Sequence, residues 1–200
     1  MIQIGQSNAT IAQPIEHLVA CHRRIEERLD ALTRAAAHFQ DRRQEALAAI
    51  AASIHFLDTS GALHTRDEEE SLFPRLRPLL SVADAHYLDS LERQHDEVEC
   101  VFAALKDVVA LLPNASGRSA ELEAEYGQLV TRLSGLYRCH IQSEDEILTR
   151  ISRQLLNADQ LREISAEMRT RRKAEEIFFS HNPAKNIFAR RKPMQTQPLS

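Results

Sequence analysis

Glycine and proline are scarce in this chain, five and seven among 200 residues. Both interrupt helices and mark turns, so their scarcity argues against a loop-rich or all-β protein. No stretch shows the alternating pattern of a strand. Cysteine is rarer still. Cys21, Cys100 and Cys139 are widely spaced and odd in number, which excludes both a disulfide framework and a CxxC zinc site. No apolar run stands out as a membrane span. The opening MIQIGQSNATIAQP has neither the basic start nor the apolar core of a signal peptide. Basic residues are not in excess either, the net charge being −4. The expectation is therefore a cytoplasmic protein with no membrane and no nucleic acid as partner.

What is abundant is Ala, Leu, Glu and Arg, all good helix formers. Hydrophobic residues make up 43% of the chain, enough for a core of its own without staples. Apolar positions recur at spacings of three and four. They predict a first helix over roughly 11–39, with Pro14 in its first turn. A second runs from about Asp41 into the Pro74–Pro78 region, where Pro74 should kink or end it. A third runs from a Ser81 cap to about Leu112, and a fourth from a Ser119 cap to about Ser152. Asn157 and Gln160 read as a capping box for a shorter fifth helix, to about Lys173. The expected fold is all-α, an up-down-up-down antiparallel four-helix bundle over residues 12–155. An N-terminal arm (1–11) precedes it; a C-terminal helix (156–174) and a flexible basic tail (175–200) follow. The arginines and lysines from Arg169 to Lys192 are read as solvated.

Each long helix has an apolar stripe that one histidine interrupts: His22, His64, His95 and His140. Of the nine histidines, these four alone have Glu four residues later, at Glu26, Glu68, Glu99 and Glu144. That spacing puts both side chains on one helix face. At about 1.5 Å rise per residue, His22 and His95 lie roughly 16–21 Å after their helix starts, and His64 and His140 roughly 15–20 Å before their helix ends. If neighbouring helices are antiparallel, the four levels coincide. Four imidazoles and two or more carboxylates then meet inside an apolar core. Buried carboxylates are costly unless paired or bound to metal, and this donor set suits transition metals. One zinc would want four ligands. A larger set fits two metals bridged by carboxylates, with iron favoured and manganese as the alternative. A ferritin-like centre would need two E-x-x-H motifs, and only Glu92-x-x-His95 is present.

The segments CHRRIEERL, HTRDEEESLFP, QHDEVE and HIQSEDEIL, with the gaps between them, resemble the hemerythrin-like family of HHE cation-binding domains over about residues 12–155. The resemblance implies that His22, His64, His95 and His140 are terminal metal ligands and that Glu68 and Glu144 bridge two irons. Oxygen-carrying hemerythrins have a second histidine one turn after the third-helix ligand; this chain has Glu99 there, a further candidate ligand. Related iron–sulfur-repair proteins carry an N-terminal cysteine-containing domain that the first residues here do not resemble.

The function so implied is binding or sensing of a small ligand (O2, NO or peroxide) or of iron itself. The alternatives are a di-iron enzyme of oxidative or nitrosative stress defence, reducing peroxide or NO or acting in iron–sulfur cluster repair, and a metal-free helical interaction protein. Around the centre, Asp67, Glu69, Glu70, Asp145 and Glu146 are expected in solvent or as partners of the ligands. Cys21 and Cys139 are expected as buried structural thiols. Gly61, one turn before His64, leaves room for a small ligand, and Tyr126 and Tyr137 are candidate flanks.

Overall fold

The computed structural model describes residues 13–114, 117 and 119–181, and all the secondary structure among them is helical. The expected arm, and residues 182–200 of the expected tail, lie outside the described residues. The first helix, α1, is Pro14–Ala36. The second, α2, spans Arg43–Leu79 without a break. Helix α3 is Val82–Leu111, and Ser81 caps it, its hydroxyl accepting from the Asp84 amide at 3.2 Å. Helix α4 covers residues 119–155. Helix α5 is Ala158–His181. Its capping box is reciprocal: Asn157 Oδ1 accepts from the Gln160 amide at 2.9 Å, and Gln160 Oε1 accepts from the Asn157 amide at 3.0 Å.

One boundary departs from the sequence reading. Helix α5 continues to His181, past the expected end near Lys173; before that point Ile164 and Met168 pack into the core and Arg171 and Arg172 reach back to α2. Helix α2 ends at Leu79, at the expected Pro74–Pro78 region, having passed through Pro74. A wide i→i+5 turn over Glu68–Leu72 precedes it, and the helix runs on through Phe73–Leu76. Such turns are rare and collect at functional sites. Two more occur, at Leu57–Gly61 before His64 and at Ile147–Ser152 after Glu144. Each shifts the inward face. Ser71, Leu72 and Phe73 are consecutive and all buried, which a regular 3.6-residue stripe does not give.

Helix α1 packs on both α2 and α4, and α3 packs on α4; α5 lies chiefly against α1 and residues 62–72 of α2. This is consistent with a four-helix bundle carrying a fifth helix. A stretch of α2 is apolar enough, by length and composition alone, to cross a membrane; here Ile50, Ile54 and Leu57 turn from it into the core.

The apolar interior is two clusters. One runs from Cys21 and Ile25 to Phe39, with Leu105, Tyr126 and Ile141. The other gathers Ile15, Leu18, Leu72, Phe73, Leu91 and Leu148 with Ile164 and Met168 of α5. Burying each of these large side chains stabilises the fold by about 1.5–3 kcal/mol. A layer of buried polar residues separates the clusters.

Candidate metal centre

That layer is made by the residues the histidine pattern singled out. His22, His64, Glu68 and Glu144 form one group, and Glu68, His95, His140 and Glu144 form a second. Within each group the ligand-type atoms lie within 4.8 Å of one another, and all six residues are buried. Both glutamates belong to both groups. Glu68 turns Oε1 toward His64 Nε2 (2.9 Å) and His22 Nε2 (3.9 Å), and Oε2 toward His95 Nε2 (3.4 Å). Glu144 Oε2 lies 3.0 Å from His22 Nε2 and 3.1 Å from His140 Nε2.

These contacts have the length of ion pairs but not the direction of hydrogen bonds. His22 Nε2, His64 Nε2 and all four oxygens of Glu68 and Glu144 are buried without a hydrogen-bond partner. A buried unsatisfied polar atom costs about 1–3 kcal/mol. Nitrogen and oxygen ligands sit about 2.0–2.2 Å from a transition metal, so neighbours around one ion are about 3 Å apart, as these are. The donor set therefore fits metal ions, which would satisfy the orphaned atoms.

The outer nitrogens of three histidines are fixed. His22 Nδ1 lies 2.8 Å from Asp145 Oδ1, His95 Nδ1 2.8 Å from Glu69 Oε1, and His140 Nδ1 3.1 Å from Gln94 Oε1. Such partners hold a proton at Nδ1, which would leave Nε2 as the nitrogen that faces inward to a metal. His64 meets the buried Cys21 thiol instead: burial opposes charge on both, yet Glu68 and Cys21 raise the His64 pKa well above its ordinary value and His64 lowers that of Cys21. Phe73 stacks parallel to His95 at 6.2 Å.

Charge is balanced within the layer. Burial disfavours protonation of His22, but the carboxylates of Asp145 and Glu144 outweigh it and raise its pKa to about 9. Burial likewise opposes the charge on His95, and Glu68 and Glu69 raise it to about 10. Burial opposes ionisation of Glu144, yet His140 and His22 hold it well below the usual carboxylate range.

Several expectations need correction. Glu99 is exposed and belongs to neither group, because Val98 takes the inward place on α3. Asp67 is not solvated: it is fully buried and paired with Arg171 and Arg172, which are therefore not solvated tail residues. Cys139 is exposed on the outer side of α4, and only Cys21 is a buried thiol. Tyr126 does not flank the centre; its hydroxyl donates to the Leu32 carbonyl at 2.9 Å, deep in the first apolar cluster. Tyr137, half-buried at the edge of that cluster, does lie by the centre as expected: burial, with Cys21 and Glu68 nearby, raises its phenol pKa. Gly61 is buried, and a Cβ there would make only ordinary contacts at 3.9 Å with Leu57 and the Phe56 carbonyl. The partners Asp145 and Glu69 were in the acidic runs but not assigned to a histidine. Gln94, beside His95, went unread because a lone glutamine carries no sequence signal.

A family model for the hemerythrin HHE cation binding domain matches residues 13–151. An uncharacterized protein of Haemophilus influenzae is 28% identical over 173 residues, covering 86% of this chain and 96% of its own length. The matched region contains all six residues of the polar layer, and the chain belongs to the hemerythrin HHE cation-binding domain family.

Proposed function

We propose that this chain is a non-haem di-iron protein that binds or senses a small oxidant or diatomic ligand: O2, NO or peroxide. The observation that carries the reading is the pair of four-residue groups sharing Glu68 and Glu144. His22 and His64 would hold one ion, His95 and His140 the other, and the two carboxylates would join them. Iron is the metal of choice for this mixed nitrogen and oxygen set, with manganese as the alternative. When bound, two irons supply the electrons and a coordination position for the small ligand.

The protein's part is narrower. Asp145, Glu69 and Gln94 orient the imidazoles, and the two apolar clusters keep water from the layer on either side. The reading goes with an up-down-up-down bundle, in which the four histidines reach one level, and with a cytoplasmic location. Metal analysis of protein purified without added metal, with its visible and near-ultraviolet spectrum, tests it. Close to two irons per chain and a near-ultraviolet band of a bridged pair are expected. A chain that takes up no metal ends the reading. Rapid mixing of the reduced protein with O2 or peroxide then separates binder from enzyme: a stable reversible adduct supports binding, and fast turnover without one supports catalysis.

A further inference from the structure

Asp67 is an expensive residue where it sits. It is fully buried, beside Glu68, and the charges that meet it come from α5. Arg171 Nε donates to Asp67 Oδ1 at 2.9 Å, and Arg172 Nη2 lies 2.7 Å from Oδ2. Neither arginine stops there. Arg171 also bonds Ser71 Oγ and lies 3.5 Å from Glu70 Oε2. Arg172 Nη2 donates to His17 Nε2 on α1 at 3.0 Å, and its Nη1 donates to the Met168 carbonyl at 2.9 Å. Buried ion pairs add little stability over a well-packed apolar substitute, and fixing one geometry is their better-attested use.

The geometry held here is specific. Ser71 lies in the wide turn Glu68–Leu72, and Asp67 immediately precedes it. That turn aims Glu68 inward and Glu69 at His95. Arg172 spans from Asp67 on α2 to His17 on α1, the two helices that carry His22, His64 and Glu68. We infer that α5 is an ionic strap in which Arg171 and Arg172, through Asp67, are positioning residues for His22, His64 and the shared Glu68 of the metal centre. The inference rests on the two-metal reading above. It assigns unequal support to the two ions, since the strap ties the helices of His22 and His64 directly, whereas His95 on α3 meets the strapped turn only through Glu68 and Glu69, and His140 comes from α4.

The test compares the wild type with Asp67→Asn, with the double variant Arg171→Gln/Arg172→Gln, and with Leu105→Ala. The last lowers stability from the first apolar cluster, which the strap does not touch. Each protein is titrated anaerobically with Fe(II) and its spectrum recorded. In the strap variants the ion held by His22 and His64 should lose about 10–100-fold in affinity, and the bridged-pair band with it, while the ion held by His95 and His140, which meets the strapped turn only through Glu68 and Glu69, should lose less. Leu105→Ala should keep both. Equal affinity for both ions in the strap variants overturns the inference, as does the same loss in Leu105→Ala. Hydrogen exchange on chelated protein provides a readout that needs no metal. Asp67→Asn should speed exchange in residues 15–24 and 62–72 and leave 95–105 unchanged; a uniform change, or none, also overturns the strap. A wild type that binds no iron would end the two-metal reading, and the exchange comparison would still decide the strap.

Discussion

His95 Nε2 and His140 Nε2 face each other at 3.1 Å, and their outer nitrogens are already bonded to Glu69 and Gln94. The two share one proton in a buried hydrogen bond, and a cation taken up by both would replace that proton. His140→Ala should therefore reduce bound metal to one ion per chain or fewer and abolish the bridged-pair absorption. His17→Ala should keep both ions, since His17 bonds Arg172 and not the layer. Metal analysis of the two purified variants decides it; loss in His17→Ala alone would place the first-helix ligand wrongly.

The outer partners should matter nearly as much as the ligands. Asp145→Asn and Glu69→Gln keep an acceptor but remove its charge. Each is expected to weaken metal binding about 10–100-fold, measured by competition with a chelator. Unchanged affinity would mean that the two carboxylates are surface groups at those distances and nothing more.

Gly61 offers a test with the opposite sign. Its backbone is helical (φ −64, ψ −50) and a methyl group fits. Gly61→Ala should be stabilising by about 0.4–1 kcal/mol, through the unfolded chain. Its metal content should not change. A marked loss of metal would show that the wide turn Leu57–Gly61 needs glycine after all.

Acid should loosen the strap at His17. Burial lowers its pKa to about 4, with Arg172 of α5, Arg24 of α1 and His64 of α2 adding to the effect. The folded value lies below the unfolded value of 6.5. The group's contribution is thus fully present above pH 6.5 and is lost as pH falls toward 4. Thermal midpoints of the wild type should fall more steeply across that window than those of His17→Gln, whose amide accepts from Arg172 without titrating. Parallel curves would remove His17 from the account.

How far the sequence carries can be judged from particular residues. His22, His64, His95 and His140 were legible because each breaks an otherwise apolar stripe, and one side chain per helix needs only helical phase to be placed. The caps at Ser81 and Asn157 were legible because capping is local. Asp67 was not, since its burial depends on arginines 104 and 105 positions away, and nothing near it announces them. Glu99 misled for the related reason that a spacing of four fixes a helix face only to within about 40°, so Val98 could take the inward place. The wide turns escaped because a period read from residue types assumes that the period is constant.

The polar layer that divides the apolar interior also divides its cooperativity. The two clusters meet across six side chains among whose inner atoms only His95 and His140 hydrogen-bond each other, so in the layer itself little besides the helices that run through it joins one cluster's stability to the other's. In chelated protein they should act as separate foldons, the cluster around Leu105 and Tyr126 melting apart from the one that α5 completes. Metal would then be the rivet between them. Calorimetry should show a van't Hoff enthalpy well below the calorimetric one in chelated protein and agreement between them once iron is bound, so an occupied centre would also decide whether the chain unfolds as one body or two.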